Sequence, residues 1–409
     1  MSAFVFDCGY NGLSVIQSLG RRGVEVFALD VRRSIGTRSR YAKFACCPDP
    51  LTNEQSFVQY LIDVGSQFSN KPLLFPTNDQ WLLAVSRHKA ILDEYFHCCA
   101  PDADAAELLL DKLAFGIWAA EQGIPVPRTW PAVDRVAVPL SSYPVVVKPL
   151  IRRKSGNDAK GVERANNADS FRLRTCNTPI ELNSALDDAN RISVDCCIQE
   201  KVDGDSSSMY TIGIFAHEGI PKGLFTGHKV RGFPPAFGDC IVGETWSAPA
   251  TVTNYCKQII ETLRYSGIAE FEFMLDRCTG EYKLIEVNPR TWSWIGITPA
   301  SGVDLPWLAY KHLVLRENVV YSASGMEDGA VRYTKILQDF QNCLFWYKKE
   351  GWFHWHFGLR RWLRDYSGKK TVTAEFAMDD PWVSLAAIWH ALKIFHRRLR
   401  AGVSKPSDF

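Results

Sequence analysis

The 409-residue sequence predicts an α/β chain: an open parallel sheet first, then an α+β part in which antiparallel strands dominate. Three observations carry the prediction. Residues 3–30 run strand, glycine-bearing turn, helix, strand. The strand–helix alternation continues to about residue 106. Residues 268–288 then read as a β-hairpin, alternating with period two on both arms of a polar turn.

Taken in order, AFVFDC (3–8) is a short apolar strand. GYNGLSVIQSLGRRG is a turn and helix closed by Gly23, and VEVFALD is a second strand ending at Asp30. A dinucleotide site would put Gly9 and Gly12 under a pyrophosphate and Asp30 on a ribose, but Asn11 stands where the fingerprint has its second glycine. SFVQYLIDVGSQF is an amphipathic helix, and PLLFPTND is a buried strand with a polar end. Thr77, Asn78 and Asp79 are therefore candidate substrate contacts beyond the carboxyl end of a strand. Asn78 and Asp79 equally suit the cap of the helix QWLLAVSRHKAIL. A further helix runs from about Asp111 to Gly123, and IPVPRTWP leads out of it.

In YPVVVKP (143–149), Lys148 is the one charge of a buried strand. It needs an anion, for which a phosphate oxygen is the natural partner, unless it snorkels to water. The following loop carries Arg152, Arg153, Lys154 and Lys160 with Gly156 and Gly161. Such a loop either closes over phosphates through its N–H groups or is a solvated charge run. CCIQEKV and MYTIGIF are strands about a turn at Gly204. Lys229 and Arg231 then stand in a loop bounded by glycine and proline, where two cations suit a γ-phosphate or a substrate carboxylate.

The hairpin follows. Glu270 and Glu272 share a face of its first strand, and Glu286 and Asn288 share a face of its second. Paired, the strands bring Glu272, Glu286 and Asn288 together as hard oxygen donors suited to Mg²⁺ or Mn²⁺. Arg290 follows on the same face, and guanidinium pairs well with phosphate or carboxylate oxygens. A solvated acidic face is the plainer alternative. Against it, Asn288 is poor strand material set between apolar residues and a proline.

From Tyr333 the chain becomes rich in Trp, Phe and Arg, and WVSLAAIWHALKIFHRRLR is an amphipathic helix with a basic end. A weak membrane-surface or partner contact is the functional interpretation; an appendage packed on the body is the preferred one. His354 and His356 have no third ligand nearby, so zinc is not expected.

With 46% hydrophobic and 22% charged residues, the composition is that of an ordinary soluble globular protein, and a net charge of +2 gives no reason to invoke nucleic acid. The twelve cysteines show no CxxC or zinc spacing and read as buried thiols in a reducing compartment. Neither a signal peptide nor a membrane-length apolar run is present, so a cytoplasmic location is expected.

FEFMLD…LIEVNPR resembles the metal-binding hairpin of the ATP-grasp superfamily, and the pieces of residues 3–315 follow one another as they do there. The GHKVRGFPPAFGDC stretch resembles the branch of predicted carboxylate–amine ligases that includes D-aspartate ligase. The resemblance implies a Rossmann-like domain over 1–106, an ATP-grasp domain over 107–320 with a small lid at about 130–202, and an appendage over 321–409. It implies that Glu272, Glu286 and Asn288 hold the magnesium ions bridging the ATP phosphates, and that Lys112 and Lys148 contact those phosphates. Glu200, Lys201 and Val202 fall on the connector to adenine, and Asp205 falls near the ribose. Arg290, with Lys229 or Arg231, would stabilise the transferring phosphoryl group or the carboxylate. The activity implied is ATP-dependent C–N ligation of a small carboxylate to an amine through an acyl phosphate, releasing ADP and phosphate. The loop after Lys148 is poorer in glycine than the family's. The alternatives are a nucleotide-binding sensor that has lost turnover and an NAD-dependent oxidoreductase built on the N-terminal unit.

Overall fold

The computed structural model describes residues 2–150, 171, 173–233, 238–325, 327–345 and 359–400. The N-terminal sheet is parallel: β1 (Ser2–Phe6), β2 (Glu25–Asp30), β3 (Ala42–Cys46), β4 (Leu73–Phe75) and β5 (His97–Cys98), in the order β3-β2-β1-β4-β5. All five residues of β1 are buried, because helices cover both faces of a parallel sheet; this is why the strand reads as an apolar run. Strand order reverses between β1 and β4. The crevice beyond their carboxyl ends is the ligand position of such sheets. Asp30 does not face that crevice as a free ribose acceptor: its buried carboxylate accepts the Cys8 N–H at 3.0 Å.

The second sheet is antiparallel: β6 (Thr129–Pro131), β7 (Val145–Pro149), β8 (Arg174–Cys176) and β9 (Cys196–Glu200), in the order β6-β9-β7-β8. The helix Pro179–Arg191 packs on it through Leu182, Ala185, Leu186 and Ala189, a single stripe at helical spacing. Thr178 caps that helix and Pro179 opens it, the residue types a first turn favours.

The third sheet holds β10 (Met209–His217), β11 (Ile220–Phe233), β12 (Asp239–Thr245), β13 (Gly267–Leu275), β14 (Tyr282–Asn288), β15 (Ser322–Ala323), β16 (Val331–Thr334) and β17 (Lys370–Thr373). Its order is β14-β13-β10-β11-β12-β16-β17, with β15 paired to β11. The C-terminal segment, expected as an appendage, thus extends this sheet through β16 and β17.

Three neighbouring strands of the sheet give up side chains at one place. A Cβ on Gly213 would stand 2.2 Å from the Trp292 ring, and Cβ atoms on Gly227 or Gly243 would stand 2.5 Å from Trp294. The two indoles fill that floor and are fully buried. They fasten the chain just after β14, so Arg290 leaves the hairpin in a fixed direction.

All twelve thiols are free, and only Cys46 and Cys278 are exposed. Trp382, Leu385, Trp389 and Leu392 of the helix Pro381–Arg400 face solvent, while Val383 and Ala387 are buried. Among the described residues no helix is long and apolar enough to cross a membrane.

Candidate functional site

In the β13–β14 pair Glu272 stands opposite Glu286 and Glu270 opposite Asn288. The register slips between Glu272 and Phe273, so Leu284 pairs with Phe273 and Ile285 is the extra residue. The bulge decides the site's composition. Leu284 and Glu286 are two residues apart and would share a face of a regular strand. With the bulge, Leu284 joins the core beside Phe271, Phe273 and Val287, while Glu286 stays beside Glu272.

Cations surround the acidic face. Lys112 Nζ lies 3.2 Å from Glu286. It reaches there from the first turn of the helix Lys112–Glu121, whose Asp111 cap accepts the N–H groups of Leu113 and Ala114 at 3.0 Å each. Lys229, buried on β11, lies 3.7 Å from Glu272 and donates to the Gly238 carbonyl at 3.2 Å. Lys148 on β7 donates to Gln199 Oε1 at 2.6 Å, and Gln199 donates in turn to Thr129 Oγ1 at 3.1 Å. Arg290 is clamped by the Asp79 carboxylate and donates to Asn288 Oδ1 at 3.3 Å and to the Thr291 carbonyl at 2.9 Å. The Asn288 amide donates to Glu270 at 3.0 Å, and Thr211 Oγ1 to the same carboxylate at 3.3 Å.

The charges oppose their own burial. Desolvation pulls the Lys148 ammonium below its usual pKa; Glu286 resists that shift and Lys112 adds to it. Burial raises the Glu272 carboxyl against the field of Lys229, and its contact with Glu286 raises it further. Burial and the neighbouring Glu272 push Glu270 well above the carboxylate range. The two carboxylates face one another, with Lys229 beside Glu272 and Lys112 on Glu286 as their cations.

Whether the donors fit a metal ion follows from this arrangement. Glu272, Glu286 and the Asn288 amide oxygen are hard donors on one face, as Mg²⁺ or Mn²⁺ requires. Among the described residues no three His, Cys, Asp or Glu side chains form a metal-binding group. Such a site therefore fits an ion that takes its remaining ligands from water and phosphate oxygens, as Mg²⁺ does.

The carbamoyl-phosphate synthase L chain ATP-binding domain family matches residues 247–311, which contain the hairpin. The D-aspartate ligase of Enterococcus faecium (strain Aus0004) is 26% identical over 282 residues, which cover 64% of this chain and 63% of that protein. The structure of the L-amino acid ligase from Bacillus licheniformis superposes with a TM-score of 0.56 at 15% identity, over 76% of this chain and 74% of that one. The chain has the ATP-grasp fold. The biotin carboxylase domain of the Hydrogenobacter thermophilus 2-oxoglutarate carboxylase, solved with MgADP and bicarbonate, matches this ATP-grasp fold with a TM-score of 0.56 at 15% identity. That match covers 81% of this chain and 73% of the other.

The remaining predicted residues of the ATP-grasp chain are placed as follows. Glu200 ends β9 and accepts the Arg128 N–H at 3.2 Å, and Lys201 N–H donates to the Pro144 carbonyl at 3.2 Å. Val202 packs with Met209, Met274 and Ile285 in a small apolar cluster apart from the main cores. Asp205 accepts from Ser207 N–H at 2.8 Å and pairs with Arg277 at 3.0 Å. Burial raises its pKa, but Ser207 and Arg277 bring the carboxylate below its usual range.

Arg231 requires a correction. It does not stand free for a phosphate or a substrate carboxylate. Its buried guanidinium forms a fork on Asp339, at 3.0 and 2.9 Å, pairs with Asp365 and reaches Tyr366 Oη at 3.3 Å. A guanidinium on a buried strand needs an anion, and here the C-terminal segment provides it.

Of the crevice residues, Thr77 Oγ1 donates to the Phe6 and Asp7 carbonyls at 2.6 and 2.8 Å, and Asn78 caps its helix. Asp79 holds Arg290. Sequence reasoning missed Asn11, whose amide donates to the Thr77 and Thr291 carbonyls at 2.6 and 2.9 Å and ties the first sheet to the hairpin's exit. Its signal was an amide in place of a fingerprint glycine. The basic loop with Arg152, Arg153, Lys154, Lys160, Gly156 and Gly161, and also His354 and His356, lie outside the described residues. A cavity of about 370 Å³ lined by Lys89, His97, Glu218, Arg264 and Arg316 shares no residue with the acidic face.

Proposed function

We propose that the chain is an ATP-dependent carboxylate–amine ligase and that its acid or its amine is an amino acid. The observation that carries this is one juxtaposition: Glu272 opposite Glu286, with Lys229 and Lys112 upon them and Lys148 in their field. The names of the D-aspartate ligase and of the L-amino acid ligase support the substrate class. The chain spans 63% of the former's length, so its activity rests on the residues themselves.

A carboxylate is a poor electrophile at neutral pH. In the proposed reaction its oxygen attacks the γ-phosphorus of ATP, the bond to the β-phosphate oxygen breaks, and ADP leaves. The amine nitrogen then attacks the acyl carbon, phosphate departs, and the amine's proton goes to solvent. Two anions must meet, and cations held without reorganisation lower that barrier. Lys112 and Lys148 would hold phosphate oxygens, and the anion would oppose the desolvation that lowers the Lys148 pKa. Lys229 and the clamped Arg290 would face the transferring phosphoryl group or the acid. Glu272, Glu286 and Asn288 would hold Mg²⁺ or Mn²⁺, which when bound neutralises phosphate charge. Val202, Met274 and Ile285 offer an apolar surface for adenine beside Glu200 and Lys201, with Asp205 near the ribose.

An ADP-release screen of amino acids and small acids, paired with amines in the presence of Mg²⁺, tests the proposal. Release should depend on both substrates, and Glu286→Gln should lower it at least about 100-fold with the fold intact by circular dichroism. Undiminished release in Glu286→Gln would refute the assignment of the hairpin. ATP binding without substrate-dependent release would refute the ligase.

A further inference from the structure

Among the described residues, one buried cation beside this site forms no ion pair. Lys335 follows β16. Its N–H donates to the Ile241 carbonyl at 2.9 Å and its carbonyl accepts from Asp339 N–H at 2.8 Å, so its backbone is fixed on both sides. The residue is 7% exposed. Among the described residues its ammonium makes no ion pair with a carboxylate; its contact is the face of Tyr10, 5.8 Å from the ring centroid. A cation–π contact offsets only part of what burying an unpaired charge costs. Glu375 lies within its field, but that carboxylate accepts the Ile336 N–H at 2.9 Å, and burial pushes its pKa up to about 7. The internal acid is thus a poor counter-ion.

The place of Lys335 identifies the missing anion. Tyr10 opens the helix at the carboxyl end of β1. Its neighbour Asn11 is bonded to the Thr291 carbonyl, next to Arg290. On the other side, Lys335 N–H donates to the Ile241 carbonyl of β12, whose Gly243 pairs with Lys229 on β11, and Lys229 touches Glu272. Lys335 therefore borders the crevice of the first sheet while adjoining the proposed transfer centre. Lys112, Lys148, Lys229 and Arg290 already surround the acidic hairpin. A single further ammonium balances a monoanion better than a phosphate dianion.

We infer that Lys335 binds a substrate carboxylate that does not itself react, which makes the carboxyl end of β1, beside Tyr10, a subsite for an amino acid or a dicarboxylate. Its place in catalysis rests on the ligase proposal; the subsite itself does not. The C-terminal segment then completes the substrate site of a chain whose nucleotide residues all precede it.

The test is calorimetric titration and thermal denaturation of the full chain with L-aspartate, D-aspartate and succinate, and with ATP and Mg²⁺ separately. At least one of the three carboxylates should bind the wild type and raise its midpoint. Lys335→Met, which keeps the apolar stem, should weaken that Kd ten-fold or more, and Lys335→Arg should stay within about three-fold. ATP affinity should stay within about two-fold in both variants. Lys335→Gln is read identically should the Met variant not fold. Failure of all three probes to bind, equal binding by the neutral variants, or an equal loss of ATP affinity would overturn the subsite. Lys335-dependent binding without ADP release from any substrate pair would leave the subsite standing and refute the ligase. ADP release with an unchanged KM in Lys335→Met would do the reverse.

Discussion

Glu272 shows how a residue can weaken a fold and serve a site. Its carboxyl faces Glu286 in a setting that raises its pKa by burial and like charge. Neutralising it removes the repulsion from Glu286 but also the carboxylate beside the buried Lys229, so Glu272→Gln should leave the melting midpoint of the metal-free protein little changed. The same change should abolish the midpoint increase given by Mg²⁺ with ATP and lower ADP formation at least about 100-fold. A midpoint that falls, with the Mg²⁺ and ATP increase intact, would make Glu272 merely structural. Lys148 was legible in the sequence because one charge among valines has few explanations. The structure gives it a neutral partner, Gln199, and no carboxylate within ion-pair distance among the described residues. A hydrogen bond to a charged group contributes about 1.5–3 kcal/mol, so Lys148→Ala should raise the KM for ATP roughly 10- to 100-fold, measured as ADP release against ATP concentration.

At the scale of elements, the hairpin was legible from alternation, and its bulge was not. Period two assigns Leu284 and Glu286 to one face, whereas the slip at Ile285 separates them. Nothing local in YKLIEVN marks the slip; it arises because Leu284 has a place in the core beside Phe273 and Glu286 meets Lys112 from the helix Lys112–Glu121. The junction of β16 with the helix Ile336–Phe345 depends on Glu375, whose carboxylate accepts the Ile336 N–H. Burial raises that carboxyl from 4.5 to about 7. The folded state then holds the proton more tightly than the unfolded chain does. The stability it adds is fully present below about pH 4.5 and is lost as pH rises through about 7, roughly 3 kcal/mol in all. Glu375→Gln keeps an acceptor for Ile336 and should flatten that slope, as read by urea denaturation at a series of pH values. An unchanged slope would show that Glu375 is already ionised in the fold.

Over the whole molecule, Arg231 joins parts that the sequence holds 108 residues apart, binding Asp339 from the central sheet. From sequence alone Arg231 reads as a cation in a glycine- and proline-bounded loop, and so as an anion site; it stands on β11 instead, with Asp339 as its anion. Whether the anion is a ligand or a distant aspartate depends on tertiary packing. The same holds for β16 and β17, which look like an appendage until β16 is seen to pair with the edge of β12 and β17 with β16. Because Asp339 is fully buried, removing the guanidinium takes away the fork that pairs its charge, and Tyr366 Oη and Trp362 Nε1 donate to it without replacing that charge. Arg231→Met should therefore cost about 3–5 kcal/mol in denaturant unfolding. Arg231→Met combined with Asp339→Leu should recover most of that loss, since the two changes exchange a buried ion pair for apolar contact. Limited proteolysis should cut the single variant in the C-terminal segment first. If the segment also carries the substrate subsite, the single variant should lose carboxylate binding before ATP binding, with the double variant regaining it. A single variant as stable as the wild type would mean that Arg231 is not the clamp and return it to the list of cations available to a ligand.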